Sequence, residues 1–327
     1  MMEDYKMNPN DKIFVAGHNG LIGNSVLSLL KKKGYRNILT ENRKKLDLRD
    51  EKKVNNFFKK NKPEFLIICA AKVGGIIENQ SKPLEFLIDN LLIQNNLLLA
   101  SKKYDLKRTI FLGSSCIYPK KSKIPIKEEY LLTGKLEKTN EAYAISKIAG
   151  LKLCSILHED YKKDVVCLMP TNVYGLNDNF DIKSSHVIPG LISKFINAKD
   201  QGKDVQIWGS GKPIREFIHV DDLANAILVS LKTSKKKLNS IFKKSLPFMN
   251  VGSGDHISIK KLAIEIKKLI NFEGRIIYDR SYPDGTINKN LDSSLIKKLK
   301  WKTKTKFLFG LKKVVHEKQK QMNIHKL

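Results

Sequence analysis

Four residues in two short segments have types and spacings that could support proton transfer to a substrate oxygen. Tyr143 and Lys147 lie one helical turn apart, and Ser114 and Cys116 follow an apolar run. Residues four apart on a helix share one face. An ammonium beside a phenol favours the phenolate, so Tyr143 could exchange a proton at neutral pH. Ser114 could then hold the substrate oxygen that gains or loses this proton.

Cys116 is the unusual member of this group, because redox chemistry on a carbinol needs no thiol. The cysteine therefore indicates a second reaction at the same site. Structural alternatives stay open for both segments. Tyr143 and Lys147 could form an exposed amphipathic pair, and Cys116 could be a buried apolar filler.

The elements that must position these residues alternate regularly along the chain. Strands are predicted at 12–16, 37–40, 65–70, 109–112 and 165–169, and helices at 21–33, 51–60, 84–103 and 141–161. This alternation predicts an α/β fold with a Rossmann-type, doubly wound parallel sheet, which binds ligands at the carboxyl ends of its strands.

Beyond about residue 171 this alternation weakens, and loops rich in Asn, Asp, Gly and Pro separate short elements. We therefore expect a dinucleotide-binding domain over residues 1–175, to which residues from about 215 to 230 return. Residues 176–327 would form mainly a smaller, interleaved substrate-binding lobe and a C-terminal tail. The tail from residue 302 is basic and predicts a surface helix.

A glycine-rich turn joins the first predicted strand to the first predicted helix. It consists of Gly17, His18, Asn19, Gly20, Leu21, Ile22 and Gly23. Such a turn lets the backbone approach a pyrophosphate at the N-terminus of a helix. An ordinary turn also accounts for the glycines, and His18 could simply pack within it. The position between strand and helix favours dinucleotide binding.

The end of the second predicted strand bears on the choice between NAD and NADP. A carboxylate there favours a ribose hydroxyl, whereas an arginine favours a 2′-phosphate. The chain offers both Glu41 and Arg43, with two further lysines beside them, and this cationic cluster favours NADPH. Asp47 is placed to meet the adenine end, or it could instead be a helix-initiating aspartate.

The formal charge of +28 comes mostly from lysines spread along the whole chain. Nucleic-acid sites usually combine clustered arginines with aromatic residues, so we expect no nucleic-acid partner. The positive charge of the protein would instead attract anionic substrates.

No apolar run is long enough to span a membrane, and the start resembles no secretion signal. Four cysteines do not form a disulfide framework. We expect a cytoplasmic protein with no membrane association and no metal site.

Several segments resemble one known superfamily, in order along most of the chain. They are 17–23, 70–76, 113–119, 140–150, 169–175, 177–180, 185–189, 208–211 and 215–222. Together they resemble the extended short-chain dehydrogenase/reductase superfamily, and within it the GDP-L-fucose synthases. The glycine turn and the Tyr/Lys pair mark only the superfamily, whereas the segments 72–75, 113–116 and 185–187 are more particular.

This resemblance implies a bifunctional, NADPH-dependent 3,5-epimerase/4-reductase that converts GDP-4-keto-6-deoxy-D-mannose to GDP-L-fucose. By analogy, Cys116 would be the base and His186 the acid of the epimerisation. Ser114 and Tyr143 would hold the C4 oxygen, and Lys147 would bind the ribose of the cofactor and tune the phenol. For His186 a purely structural role is the alternative.

The resemblance also implies binding residues. Cofactor contacts would come from the glycine turn together with Arg43, Asp47, Lys147, Pro170, Asn172, Val173 and His186. In the substrate lobe, Lys194 and Arg215 could bind a diphosphate. Trp208 could be a platform for guanine or sugar, and Asp284 could accept from a hydroxyl. Their alternatives are a solvated lysine, a structural ion pair, a core indole and a turn aspartate.

Two implications of the resemblance leave choices open. Position 19, where the family commonly carries an arginine, is Asn19, so NAD remains an alternative cofactor. Relatives commonly dimerise through a helix pair that includes the Tyr/Lys helix, which implies a homodimer here.

Two other functions stay under consideration. A nucleotide-sugar 4-epimerase or 4,6-dehydratase of the same superfamily would recycle a tightly held NAD and would have no need of Cys116. A non-enzymatic nucleotide- or RNA-binding Rossmann protein would be expected to lose Tyr143 or Lys147, and this chain has both.

Overall fold

The structure, a computed structural model, describes residues 7–242 and 246–324. Its strands are β1 Ile13–Ala16, β2 Ile38–Leu39, β3 Phe65–Ile68, β4 Arg108–Leu112, β5 Val165–Pro170, β6 Asn172–Tyr174, β7 Val205–Trp208, β8 Ile214–His219, β9 Phe248–Val251, β10 His256–Ser258, β11 Ile276–Asp279 and β12 Asn288–Lys289. Its helices are α1 Leu21–Lys32, α2 Glu51–Asn61, α3 Ile76–Ser81, α4 Pro83–Lys103, α5 Glu141–Glu159, α6 Val187–Gln201, α7 Val220–Lys232, α8 Lys235–Ile241, α9 Ile259–Ile270, α10 Ser294–Lys297 and α11 Phe307–Ile324.

Six parallel strands form the central sheet in the order β2-β1-β3-β4-β5-β9. The predicted Rossmann-type parallel sheet is therefore confirmed. The winding reverses between β1 and β3, because β2 lies on one side of β1 and all later strands lie on the other. Ligands of such sheets bind at this reversal, outside the carboxyl ends of the strands.

The apolar strands are buried on both faces because helices cover the sheet on each side. Ile13 and Val15 of β1 face a core shared with α1 and α7, whereas Phe14 and Ala16 face a second core shared with α2, α4 and α5. Alternate residues of a strand point to opposite faces. A continuous apolar run, rather than an alternating one, therefore suits each central strand.

The remaining elements build a smaller unit around a third core. β8 lies at the centre of a second sheet and pairs with β6, β10 and β12, while β7 and β11 form a parallel pair. Helices α6, α9 and α11 contribute apolar residues to this core. The residues 215–230 divide between the two units. Helix α7 packs against α1, whereas strand β8 belongs to the second sheet.

Three details differ from the sequence-based prediction. A short helix, α3, precedes α4 in a segment for which no element was predicted. The strand β9 extends the central sheet although it comes from the C-terminal half. The C-terminal helix is not merely a surface element, because Leu311, Val314 and Val315 of α11 are buried in the third core. Among the described residues, no helix is both long and apolar enough to cross a membrane.

Candidate active site

Ser114 and Cys116 lie immediately beyond the carboxyl end of β4. Ser114 is extended, with φ −159° and ψ 150°, and its Oγ accepts the backbone N–H of Cys116 at 3.2 Å. This hydrogen bond caps a short 3-10 helix, Ser115–Ile117, and satisfies a donor that the turn would leave free. The serine and cysteine side chains consequently reach the same cavity from the edge of the sheet.

Tyr143 and Lys147 lie one turn apart on α5, as the spacing predicted. The Nζ atom of Lys147 donates to the carbonyl oxygen of Leu112 at 3.0 Å and lies 5.9 Å from the centroid of the Tyr143 ring. Burial lowers the pKa of Lys147 to about 8, since the charged form loses its hydration. The pair is not an exposed amphipathic one, because Lys147 is buried.

The phenol of Tyr143 departs from the sequence-based expectation. Burial, and next the nearby thiol of Cys116, raise the pKa of Tyr143 above its ordinary value, while a hydrogen bond with Ser114 acts in the opposite direction. Desolvation is thus the dominant effect on this phenol, and the shift toward phenolate that we expected from Lys147 is wrong. A protonated phenol suits the role of an acid that donates to a substrate oxygen.

Two donors meet the sulfur of Cys116. Asn140 Nδ2 lies 3.1 Å from Sγ, and Lys289 Nζ lies 3.5 Å from it. Cys116 is half-buried and lines the cavity, so it is not simply a core filler. Neither partner of the thiol was predicted from the sequence. Asn140 directly precedes α5, within a segment already singled out, whereas Lys289 gave no signal because its proximity depends on the pairing of β12 with β8.

His186 is the residue before the first turn of α6, and its side chain is exposed to the cavity. Protein atoms nevertheless surround the ring, and this burial lowers its pKa below the ordinary value of an imidazole. The preceding residues are tied to the loop after β3, because the Gly75 N–H donates to the Ser184 carbonyl oxygen at 3.0 Å. The histidine is thus held at the cavity wall by backbone contacts.

The glycine-rich turn has the geometry of a phosphate cradle. Gly17 has φ +87°, and a Cβ atom there would lie 2.6 Å from the backbone nitrogen of Ala70. Gly20 caps α1 without a side-chain hydrogen bond, so the first backbone N–H groups of the helix stay available to an anion. The residues present therefore fit the pyrophosphate of a dinucleotide. Gly20 lines the cavity together with Asn19, Leu21, Ile22 and Gly23, and His18 is half-buried in the turn.

The two residues predicted for the adenine end lie in one region, because Arg43 adds to the larger effect of Arg49 on the pKa of Asp47. Arg43 is exposed in the loop after β2. Asp47 is held by Arg49, whose Nη2 lies 2.7 Å from Oδ2, and this hydrogen bond lowers the pKa of Asp47 to about 2. The alternative role of Asp47 as a helix cap is wrong, because Asp50 accepts from the N–H of Lys53 and caps α2. Asn42, the residue before Arg43, accepts at Oδ1 from Asn19 Nδ2 at 3.0 Å.

Three further residues predicted for the cofactor line the cavity beyond β5. Pro170 ends that strand, and Asn172 and Val173 belong to β6. The amide nitrogen of Asn172 donates to the Glu216 carbonyl oxygen at 2.8 Å, which anchors this segment on β8.

An aromatic and cationic group occupies the far part of the cavity. The rings of Trp208 and Tyr282 stack with centroids 5.0 Å apart, and Lys194 Nζ lies 3.6 Å from the centroid of the Trp208 ring. Burial lowers the pKa of Lys194 to about 8. Trp208 is half-buried at the cavity wall rather than a core indole. Tyr282 was missed by the sequence analysis, where nothing distinguished it from other loop aromatics.

Arg215 and Asp284 also line this cavity, and both are engaged with backbone. Arg215 Nη1 donates to the Thr286 carbonyl oxygen at 2.6 Å. Asp284 accepts from the backbone N–H and from the hydroxyl of Ser210, each at 2.7 Å. These bonds orient the 209–213 and 282–286 loops toward each other. The cavity has a volume of about 690 Å³ and runs from the glycine turn, past Ser114 and Cys116, to Trp208.

Comparison with known proteins places this geometry in a family. The sequence pattern of the NAD dependent epimerase/dehydratase family matches residues 13–243. The chain belongs to this family. Among its relatives is GDP-L-fucose synthase 1 of Arabidopsis thaliana, which is 43% identical over 92% of this chain and 90% of its own length.

Solved structures of other family members have the same overall fold. A GDP-6-OMe-4-keto-L-xylo-heptose reductase from C. jejuni superposes with a TM-score of 0.91 at 34% identity, covering 97% of this chain and 100% of that one. A GDP-L-fucose synthetase from Naegleria fowleri bound to NADP gives a TM-score of 0.85 at 28% identity, covering 99% and 98%. The epimerase/dehydratase fold thus extends over nearly the whole chain.

Proposed function

We propose that the protein is an NADP-dependent oxidoreductase with epimerase activity, which converts GDP-4-keto-6-deoxy-D-mannose to GDP-L-fucose. The observation that carries this proposal is the position of the Cys116 thiol beside the Ser114–Tyr143 pair in one cavity. A 4-epimerase or a simple reductase needs only the Ser114–Tyr143 pair and has no need of the thiol. The similarity of the chain to the GDP-L-fucose synthase of Arabidopsis thaliana described above also supports this proposal.

The epimerisation uses the acidity of carbons next to a ketone. Cys116 as a thiolate takes the proton from C3 or C5, so that a C–H bond breaks and an S–H bond forms. The electron pair moves into the enolate, whose oxygen accepts hydrogen bonds from Ser114 and Tyr143. His186 then returns a proton to the opposite face of the carbon, which inverts it. The lowered pKa of His186 eases loss of this proton.

The reduction uses the same oxygen at C4. NADPH, held at the glycine turn, supplies the hydride to the ketone when bound. Tyr143 donates its phenolic proton to the C4 oxygen, and the raised pKa of Tyr143 keeps that proton in place until it is needed. Ser114 holds the oxygen by a hydrogen bond, and Lys147 would bind the ribose of the cofactor.

The remaining predicted residues complete the proposal. Residues 1–175, with the later segments that pack on them, would bind the cofactor, and 176–327 would bind mainly the GDP-sugar. Lys194 and Arg215 would meet the diphosphate, Trp208 would stack on guanine or sugar, and Asp284 would accept from a hydroxyl. Arg43 would contact the 2′-phosphate that distinguishes NADP from NAD, and Asp47 would lie near the adenine end.

We also propose a homodimer built on the α4 and α5 helices. These helices pack on each other, and α4 exposes an apolar stripe on its outer side that includes Leu84, Ile88 and Leu92, which are 71%, 42% and 41% exposed. Ile145 of α5 is 45% exposed. A second copy would cover these side chains, and burying apolar area favours association.

For location we propose the cytoplasm, where the free thiol of Cys116 would stay reduced.

The function is tested by incubating the enzyme with GDP-4-keto-6-deoxy-D-mannose and NADPH. We expect loss of the NADPH absorbance and GDP-L-fucose as the product. Cys116→Ser should lose or divert epimerisation, and Tyr143→Phe should lose reduction, while both variants still bind cofactor. No oxidation with either NADPH or NADH would exclude the reductase. Tightly retained NAD with no net oxidation would instead indicate a 4-epimerase or 4,6-dehydratase.

A further inference from the structure

Two donors, a neutral amide and an ammonium, lie within hydrogen-bond distance of the sulfur of Cys116. The amide nitrogen of Asn140 lies 3.1 Å from Sγ and the ammonium of Lys289 lies 3.5 Å from it. The sulfur of a thiol is only a weak acceptor. A thiolate carries a full negative charge, so it would attract the ammonium of Lys289 and accept more strongly from both donors.

We propose that Lys289 is a positioning residue that keeps the Cys116 sulfur ionised as a thiolate, so that this sulfur can act as a base at neutral pH. The proposal rests on the role given to Cys116 in the epimerisation above. In the step concerned, the thiolate takes a proton from the carbon beside the ketone, an S–H bond forms, and the electron pair of the broken C–H bond enters the enolate.

The placement of Lys289 follows from the strand pairing. β12 pairs with β8 in parallel register, and Lys289 lies opposite Arg215. Burial lowers the pKa of Arg215, and the nearby Cys116 acts in the opposite direction, so this guanidinium lies in the same neighbourhood as the sulfur. Cations beside a cysteine favour the thiolate.

Other groups that face Cys116 do not cancel this positive charge. Tyr143, from α5, is a neutral phenol when protonated. Glu137 lies near Arg215, but its carboxylate forms an ion pair with Lys120 at 2.9 Å. Within the part of the chain that the structure describes, Lys289 has no carboxylate within ion-pair distance. Its charge is therefore not committed to a structural salt bridge.

The test follows the reactivity of the thiol itself, because only the thiolate is alkylated. Alkylation of Cys116 by iodoacetamide is measured against pH by mass spectrometry of the Cys116 peptide, in the full-length protein. Lys289→Met should react about tenfold more slowly at pH 7, because a sulfur that has lost the neighbouring cation is less often ionised. Lys289→Arg, which keeps the cation, should retain most of the reactivity.

Matched variants separate charge from stability. Lys289→Gln provides a second neutral replacement if Lys289→Met does not fold, and Lys52→Met removes an exposed lysine on α2, far along the chain from the site. The Lys52 variant should alkylate like the wild type. An unchanged pH profile in folded Lys289→Met or Lys289→Gln would overturn the proposal, as would an equal loss of reactivity in Lys289→Arg.

The same variants distinguish this inference from the proposed function. Alkylation reports the state of the sulfur whether or not the GDP-sugar is a substrate. A shifted profile in an enzyme that does not turn over this sugar would support the role of Lys289 and refute only the reaction. When turnover does occur, Lys289→Met should slow deuterium uptake from D₂O into the sugar more than Lys289→Arg does.

Discussion

The backbone N–H of Gly75 donates to the carbonyl oxygen of Ser184 at 3.0 Å, which ties the loop after β3 to the residues that directly precede His186. The approach is so close that a Cβ atom on Gly75 would lie 2.6 Å from the Ser185 carbonyl oxygen. The amide of Asn79 holds this loop by donating to the carbonyl oxygens of Gly74 and Gly75 at 2.9 and 3.0 Å. The proposed acid is thus placed by a loop from the cofactor-binding half.

Gly75→Ala should therefore displace His186 and reduce activity. A shift of about 1 Å in a catalytic group costs about a hundredfold in rate. We expect a loss of that order in kcat for GDP-L-fucose formation. Gly134→Ala, at an exposed glycine whose added Cβ would meet only Pro119 at 3.3 Å, is the control. Full activity in Gly75→Ala would show that the loop does not position the histidine.

The buried ammonium of Lys147 should leave a signature in the pH dependence of stability. Burial lowers its pKa to about 8 from the ordinary 10.5, so between these values the unfolded chain binds more protons than the folded protein. The contribution of this group to the free energy of unfolding therefore rises with pH across that window. Wild type should gain stability relative to Lys147→Met by at most about 3 kcal/mol.

Urea unfolding at several pH values measures this difference. Lys152→Met, which removes an exposed lysine from the same helix, is the matched control and should track the wild type. A gap between wild type and Lys147→Met that stays constant from pH 8 to 10.5 would mean that the folded protein holds this proton as tightly as the unfolded chain.

Arg43 should govern the preference for NADPH over NADH. It is exposed after β2, where a guanidinium can bind a 2′-phosphate in two hydrogen bonds. Loss of a charged hydrogen bond costs about 1.5–3 kcal/mol, so Arg43→Ala should weaken NADPH binding by at least about tenfold. NADH affinity should stay the same. Binding is followed by nucleotide fluorescence, and Arg36→Ala, which removes another exposed arginine, is the control. An equal loss of affinity for NADPH and NADH would show that Arg43 does not contact the 2′-phosphate.

A charge on the outer face of α4 should prevent dimerisation. Leu92 is 41% exposed, within the stripe that a second copy would cover. Leu92→Lys would bury an ammonium in that contact, which is costly. We expect a monomer by size-exclusion chromatography with light scattering, at unchanged secondary structure. Leu308→Lys, at a 55% exposed leucine of α11, should leave the mass as in the wild type. A wild-type monomer, or a dimeric Leu92→Lys, would contradict the proposed interface.

Local sequence patterns were enough to predict the central sheet and one end of the site. Continuous apolar runs such as Phe65–Ile68 predict strands buried on both faces, and a glycine with φ +87° at 17 follows from a turn between strand and helix. The Tyr143–Lys147 spacing needs only helical periodicity. In these cases the physical cause acts within a few residues, so the sequence displays it directly.

Properties that depend on long-range contacts could not be predicted from the sequence. The sequence alone determined the parallel α/β architecture, the glycine turn and which proton-transfer groups the chain carries, because periodicity, turn chemistry and side-chain type are local properties. Only the tertiary structure decided the state of those groups. Burial raises the pKa of Tyr143, and Lys289, 173 residues from Cys116 along the chain, reaches the sulfur through the pairing of β12 with β8. Desolvation and electrostatic contact depend on what surrounds a side chain, which the chain specifies only once it is folded.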